Sequence, residues 1–234
     1  TVANRPLQQR YGGVVIPHAR DPDHLQPATP LKKRYARRRY GIPEQAKVVL
    51  FFGTPRRHKG LLQVAAAVAA LPEQLQPLFL VVGAIPDTPL KAELRACLPA
   101  KRLRLLGNQP FDRAPDILAL ADLEVLLSGG EVAAFQSPAK LSDALAMGLP
   151  VLVSEVAPLR EAIERGWAVR AEPERLAQQL QEWLGDAEAL ARQGGRAREG
   201  FLETLALPVV AQQLKPHMAA ALAAPGLVDG QQLT

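Results

Sequence analysis

Seven short runs rich in Val, Leu, Ile and Phe punctuate this chain, at residues 14–17, 48–53, 78–83, 103–107, 123–128, 150–154 and 167–170. They are continuously apolar and do not alternate. A strand with one wet face alternates with period two, whereas a strand covered on both faces reads as an unbroken apolar run. Helical patterns fill the gaps, at about 59–71, 90–98, 114–121, 138–147, 159–165, 174–184 and 187–203. Strands separated by helices imply right-handed crossovers. The expected fold is therefore α/β, a doubly wound parallel sheet with helices on both faces. Residues 209–224 read as one more helix, which Pro225-Gly226 ends. No Pro/Gly/Ser-rich linker splits the chain. The expected organisation is one lobe over 1–207, with a C-terminal helix and tail over 208–234.

Composition removes several function classes. Apolar residues make up 48% and charged residues 22% of 234, too apolar for a disordered chain. No apolar run approaches the ~18 residues of a spanning helix. A single cysteine, Cys97, excludes an internal disulfide framework. His18, His24, His58 and His217 lie too far apart for zinc-ligand spacing, so no metal is expected. These features predict a soluble protein of a reducing compartment. The net charge of +5 has one main source, Lys32, Lys33, Arg34, Arg37, Arg38 and Arg39. It is a local feature, unlike the broad basic face of a nucleic-acid coat. Tyr35 and Tyr40 are the only aromatic residues interleaved with it, so nucleic acid is an unpromising partner.

In a doubly wound sheet, ligands bind at the carboxyl ends of the strands. Two segments stand there. The first, Gly53-Thr-Pro-Arg-Arg-His-Lys-Gly60, lacks the Gly-Lys-Ser/Thr ending of a P-loop. What remains is a tight turn carrying Arg56, Arg57, His58 and Lys59 into a helix start. Cations oppose the helix dipole there, and an anion seated among them would resolve the conflict. The alternative is a solvated basic loop. The second segment opens Gln136-Ser-Pro-Ala-Lys140. Ser137 is expected to cap a helix with Pro138 at its first position, and Gly148 to stop it. Lys140 again opposes the dipole, and Asp143 lies one turn on, on the same face. A cation for phosphate and a carboxylate for a sugar diol make a nucleotide grip. The competing reading is a Lys140–Asp143 surface pair worth ~0.3 kcal/mol.

Together with Val14-Val-Ile-Pro-His18, Tyr40-Gly-Ile-Pro43, Leu80-Val-Val-Gly83, Leu105-Leu-Gly107, Ala121-Asp-Leu-Glu-Val-Leu-Leu-Ser128 and Ala146-Met-Gly-Leu-Pro-Val151, these segments carry a resemblance. Their order is similar to that of the C-terminal, donor-binding lobe of a GT-B-fold glycosyltransferase of the retaining family 4 type. The resemblance runs from about 14 to 224. It implies a nucleotide sugar as donor, transfer without a required metal or other cofactor, and an N-terminal acceptor lobe beyond this chain. It implies that Lys59, with Arg56 or Arg57 in place of an Arg at Thr54, holds the diphosphate along with Ser137 and Lys140. Asp143 takes the place of the family's ribose-binding Glu. Phe135 stands where a second Glu is usual, so the acidic pair is incomplete. Gly53, Thr54, Asn108, Gln109, Phe135, Pro138 and Leu141 fall in the base or sugar region. The resemblance assigns no catalytic nucleophile. It also implies a cytoplasmic location, and residues 32–39 could hold the chain to an anionic membrane face. Alone, the lobe is expected to bind donor weakly without turnover. The rival function is a non-catalytic module of the same fold, used to bind protein or an anionic surface.

Overall fold

The computed structural model describes residues 1–86 and 88–223. In chain order the elements are α1 (Arg5–Tyr11), α2 (Pro30–Arg39), β1 (Val48–Phe52), α3 (Leu61–Ala69), β2 (Leu78–Val82), α4 (Thr88–Cys97), β3 (Leu103–Leu105), α5 (Ala114–Leu118), β4 (Leu123–Leu126), α6 (Ala139–Ala146), β5 (Val151–Val153), α7 (Arg160–Glu164), β6 (Val169–Arg170), α8 (Leu176–Gly185), α9 (Ala187–Thr204) and α10 (Leu207–Ala223). The six strands form one sheet in the order β3-β2-β1-β4-β5-β6, every neighbouring pair parallel. The expected doubly wound sheet is therefore present.

The unbroken apolar runs have the predicted cause. Leu50, Leu80, Val82, Val151 and Val153 face one layer of helices, with Ile117, Leu145 and Phe201. Val49, Phe51, Phe79, Val81, Val125 and Leu152 face the other, with Val64, Val68, Leu90, Leu94 and Leu180. Alternate residues of each central strand thus enter opposite cores. Each fully buried Val, Leu, Ile or Phe contributes about 1.5–3 kcal/mol relative to exposure.

One expected strand is absent from the sheet. Residues 14–17 make only an isolated bridge, Val15 to Val2. A three-residue apolar run between Gly13 and Pro17 found a local partner in the N-terminal segment. The basic stretch is corrected as well. Arg37 of α2 is 5% exposed and is not part of a solvated face. Its guanidinium donates to the carbonyls of Leu120, Glu44 and Ala46 and to Asp122. Asp122 also accepts from Lys33 at 2.7 Å and from the Val48 amide at 2.8 Å. Arg34 pairs with Glu44 and Arg39 with Asp116. These contacts fasten α2 across the amino ends of β1 and β4. Lys32 and Arg38 remain unpaired among the described residues.

The expected helix at 209–224 is α10, which begins two residues earlier. Its final residue, Ala224, and the tail 225–234 lie outside the described residues. Val210 is the buried residue of α10, while Leu207, Met218 and Leu222 are exposed. No helix among the described residues is long and apolar enough to cross a membrane.

Candidate functional site

The strand order reverses at β1, whose neighbours are β2 on one side and β4 on the other. Such a switch point opens a crevice at the carboxyl ends of the two strands. The β1–β4 register consists of Val49↔Leu123 and Leu50↔Glu124, yet the strands continue to Phe52 and Leu126. They part beyond Leu50, and the two basic segments flank the opening.

The segment after β1 turns at Gly53 and enters a single 3₁₀ turn, Arg57–Lys59, before α3. Two close approaches fix its path. A Cβ on Gly60, at φ +67°, would lie 2.6 Å from Leu127 Cβ. A Cβ on Gly83, at φ +127°, would lie 2.0 Å from the Gly53 carbonyl oxygen. The segment after β4 is tied to the same turn, because the Gly129 amide donates to the His58 carbonyl at 3.1 Å. Lys59 Nζ donates to the Thr54 carbonyl at 3.0 Å. Burial, and then the neighbouring Arg56, lower its pKa. Arg57 is turned outward in a two-bond pair with Glu93 of α4. Of the two candidate arginines, Arg56 is therefore the one near Lys59.

α6 starts at Ala139, one residue later than expected, with Pro138 as its N-cap. Ser137 does not cap it, and its hydroxyl donates to the Ala3 carbonyl at 3.4 Å. No side chain caps this helix. Its first amides lack intrahelical acceptors by the geometry of any α-helix, and the positive end of its dipole faces the crevice. Lys140 runs beside Gly53, its Cδ 3.5 Å from where a Cβ would stand. Its Nζ sits 4.1 Å over the Phe51 ring. The stem is partly exposed, but Nζ is shut off from solvent without a hydrogen-bond partner. Burial lowers its pKa to about 8, with Glu124 opposing and Lys59 adding to the fall. Lys59 and Lys140 therefore act on one region.

Asp143 is buried and accepts from Arg20 Nε, so the surface Lys140–Asp143 pair is overturned. Burial raises its pKa, while Arg20 and then His18 pull the other way. Arg20 Nη2 also donates to the Ala139 carbonyl at 3.3 Å. Phe135 packs its ring under the Arg10 guanidinium at 5.3 Å, and its carbonyl accepts from Asn4 Nδ2 at 3.0 Å. Asn108 accepts from the Ala84 amide, and Gln109 donates to the Leu106 carbonyl. These bonds order the loop that follows β3. Leu141, on α6, packs into the core.

Three groups of the site are not among the residues singled out from the sequence, namely Arg20, Phe51 and Glu124. Glu124, 0% exposed in β4, has no hydrogen-bond partner on either carboxylate oxygen. Burial pushes its pKa up to about 8, against Lys140, with Asp143 adding to the rise and the Phe52 amide opposing it. Its signal was legible as a carboxylate inside the apolar run Leu123–Leu127. A cavity of about 510 Å³ lies elsewhere, between α2 and α5, lined by His24, Leu31, Tyr35, Ala119 and Met147 among others. It is mainly apolar and lacks the converging cations of the crevice.

The chain as a whole is similar to known proteins. The profile of the family described as glycosyl transferases group 1 matches residues 32–200, and the chain belongs to that family. It is 29% identical over 180 residues to N-acetyl-alpha-D-glucosaminyl L-malate synthase of Bacillus anthracis, covering 75% of this chain and 44% of that protein. It is 28% identical over 199 residues to 2-deoxystreptamine glucosyltransferase of Streptomyces kanamyceticus, covering 74% and 49%. The chain thus spans about half the length of these relatives. Among solved structures, Anabaena HepE in complex with UDP and glucose superposes with a TM-score of 0.80 at 20% identity, covering 94% of this chain and 62% of that one. The C-terminal domain of the group 1 protein LpcC from Francisella tularensis superposes with a TM-score of 0.66 at 19% identity, covering 81% and 100%. The fold is the Rossmann-like lobe of GT-B glycosyltransferases.

Proposed function

We propose that this chain is the C-terminal, donor-binding lobe of a retaining, family 4 glycosyltransferase that takes its sugar from a nucleoside diphosphate sugar. The observation that supports the reading is that Lys59 lies near enough to Lys140, at the uncapped start of α6, to act on its charge beside the β1–β4 opening. As the glycosidic bond breaks, negative charge grows on the leaving diphosphate. Preorganised cations and amides stabilise such charge without reorganising. Arg56 adds to them. HepE in its complexes with UDP and glucose supports the donor class. Asp143 serves the ribose if Arg20 yields it. The acceptor and part of the catalytic machinery belong to an N-terminal lobe, toward which α10 turns its exposed Leu207, Met218 and Leu222. The positive charge in this scheme comes from lysine and arginine, with no metal assigned, and the protein works in the cytoplasm.

Calorimetry with UDP, GDP and ADP tests this. One of them should bind in the millimolar range or tighter. Lys59→Ala should weaken the diphosphate about tenfold, the effect of ~1.4 kcal/mol for one partly exposed cation, and spare the nucleoside. Folded protein that binds none of the three at millimolar concentration contradicts the reading. A second function, a non-catalytic module, is favoured by Phe135 under Arg10 and by Asp143 locked to Arg20. Donor hydrolysis or transfer by the full-length polypeptide would eliminate it.

A further inference from the structure

Glu124 is the buried charged group to which the donor reading gives no role. It sits at the last paired position between β1 and β4, where the two strands part. Neither oxygen makes a hydrogen bond of ordinary geometry, even to the nearby Phe52 amide, and neither does the Lys140 ammonium. Two buried titratable groups, an acid and a base, that influence each other electrostatically without a hydrogen bond between them form an unusual pair. A buried polar atom left without a partner destabilises the fold, and three such atoms lie together here.

We propose that Glu124 is a positioning residue for the diphosphate site, a carboxyl that stands behind the Lys140 ammonium when protonated and competes with the diphosphate for it when ionised. The inference rests on the donor reading of the crevice. The groups around the pair are few. Lys140 faces Glu124 of β4, Lys59 of the turn before α3, and the Phe51 ring. Glu124 faces Lys140 and Asp143 of α6, and Asp143 is in turn held by Arg20 with His18 nearby. Both members of the pair are displaced by burial toward their uncharged forms. A polyanion placed on Lys140 favours every protonated form of the pair. Binding therefore draws a proton from solvent wherever the free pair has begun to lose one. Replacing Glu124 by a permanently neutral isostere removes one of the two ionisations that oppose the ligand.

The test is UDP calorimetry on the 234-residue chain from pH 6 to pH 9, with two buffers of different ionisation enthalpy at pH 8. The wild type should take up protons on binding, and its affinity should fall about tenfold or more from pH 7 to pH 9. In Glu124→Gln that fall should be smaller, the proton uptake lower, and the affinity at pH 9 higher than in the wild type. A merely structural role would not raise affinity at one pH. Lys140→Arg keeps its charge through pH 9 and should flatten the profile. A flat wild-type profile overturns the inference while leaving the donor reading intact. So does a Glu124→Gln profile that matches the wild type, or Lys140→Arg retaining the full pH dependence. Absence of UDP binding by the wild type even at pH 6 defeats the donor reading itself, and this inference with it.

Discussion

Asp122→Ala lowers the free energy of unfolding by about 3–5 kcal/mol in a urea titration, the range for breaking a buried ion pair from one side. Asp122 gathers Lys33, Arg37 and the Val48 amide at the amino ends of β1 and β4. Its removal leaves Arg37, 5% exposed, without a counter-charge, and leaves the first amide of β1 without an acceptor. Three carbonyls still hold the guanidinium, so the fold survives. Arg38→Ala, on the same helix but unpaired among the described residues, should change stability by less than about 0.5 kcal/mol. A loss below about 1 kcal/mol in Asp122→Ala would show that α2 is held by something other than this hub.

Lys140→Met separates stability from binding. The substitution keeps the stem and removes an ammonium that is shut off from water without a partner. At pH 7 the chain should gain about 1–3 kcal/mol of stability, the cost of an unsatisfied buried polar group. The sign follows from linkage. A lysine lowered to about 8 in the fold, from 10.5 when free, binds its proton less well folded than unfolded. It therefore penalises folding at pH 7, and the penalty fades as pH rises from about 8 to 10.5. Glu124 acts in the opposite sense. Its raised pKa leaves it neutral in the fold at pH 7, so removal of Lys140 there strands no charge. UDP affinity should meanwhile fall by about 2–5 kcal/mol, or ~30-fold and more, as for truncation of a buried charged partner. A variant that is less stable, or that binds UDP as before, would show that Lys140 serves the core.

The sheet was legible because strands covered on both faces cannot hide among polar residues, and six of seven apolar runs are strands. The run at 14–17 failed because three apolar residues carry no information about which partner they meet. The same limit applied to α2. Lys33, Ala36 and Arg37 share one face of a helix, but only the tertiary placement of Asp122 decides that the face is buried. At the site, the two basic segments could be read because cations at helix starts contradict the dipole. The capping pattern at Ser137 misled by one residue, since the hydroxyl found Ala3, which is 134 residues away in sequence. Arg20 was invisible for the same reason, as its partner Asp143 is 123 residues distant. Glu124 was passed over, although a carboxylate inside the apolar run 123–127 was a signal that could have found it. Local rules place elements and helix ends, and long-range pairings decide which charges face a ligand.

The donor proposal requires one diphosphate to be held jointly by the turn after β1 and the start of α6. The most direct measurement is an amide NMR titration of this chain with inorganic pyrophosphate. Gly53, Lys59, Gly60, Ala139 and Lys140 should shift together along one binding curve. Shifts confined to residues 32–39 of the basic helix, or two independent curves for the two segments, would contradict it.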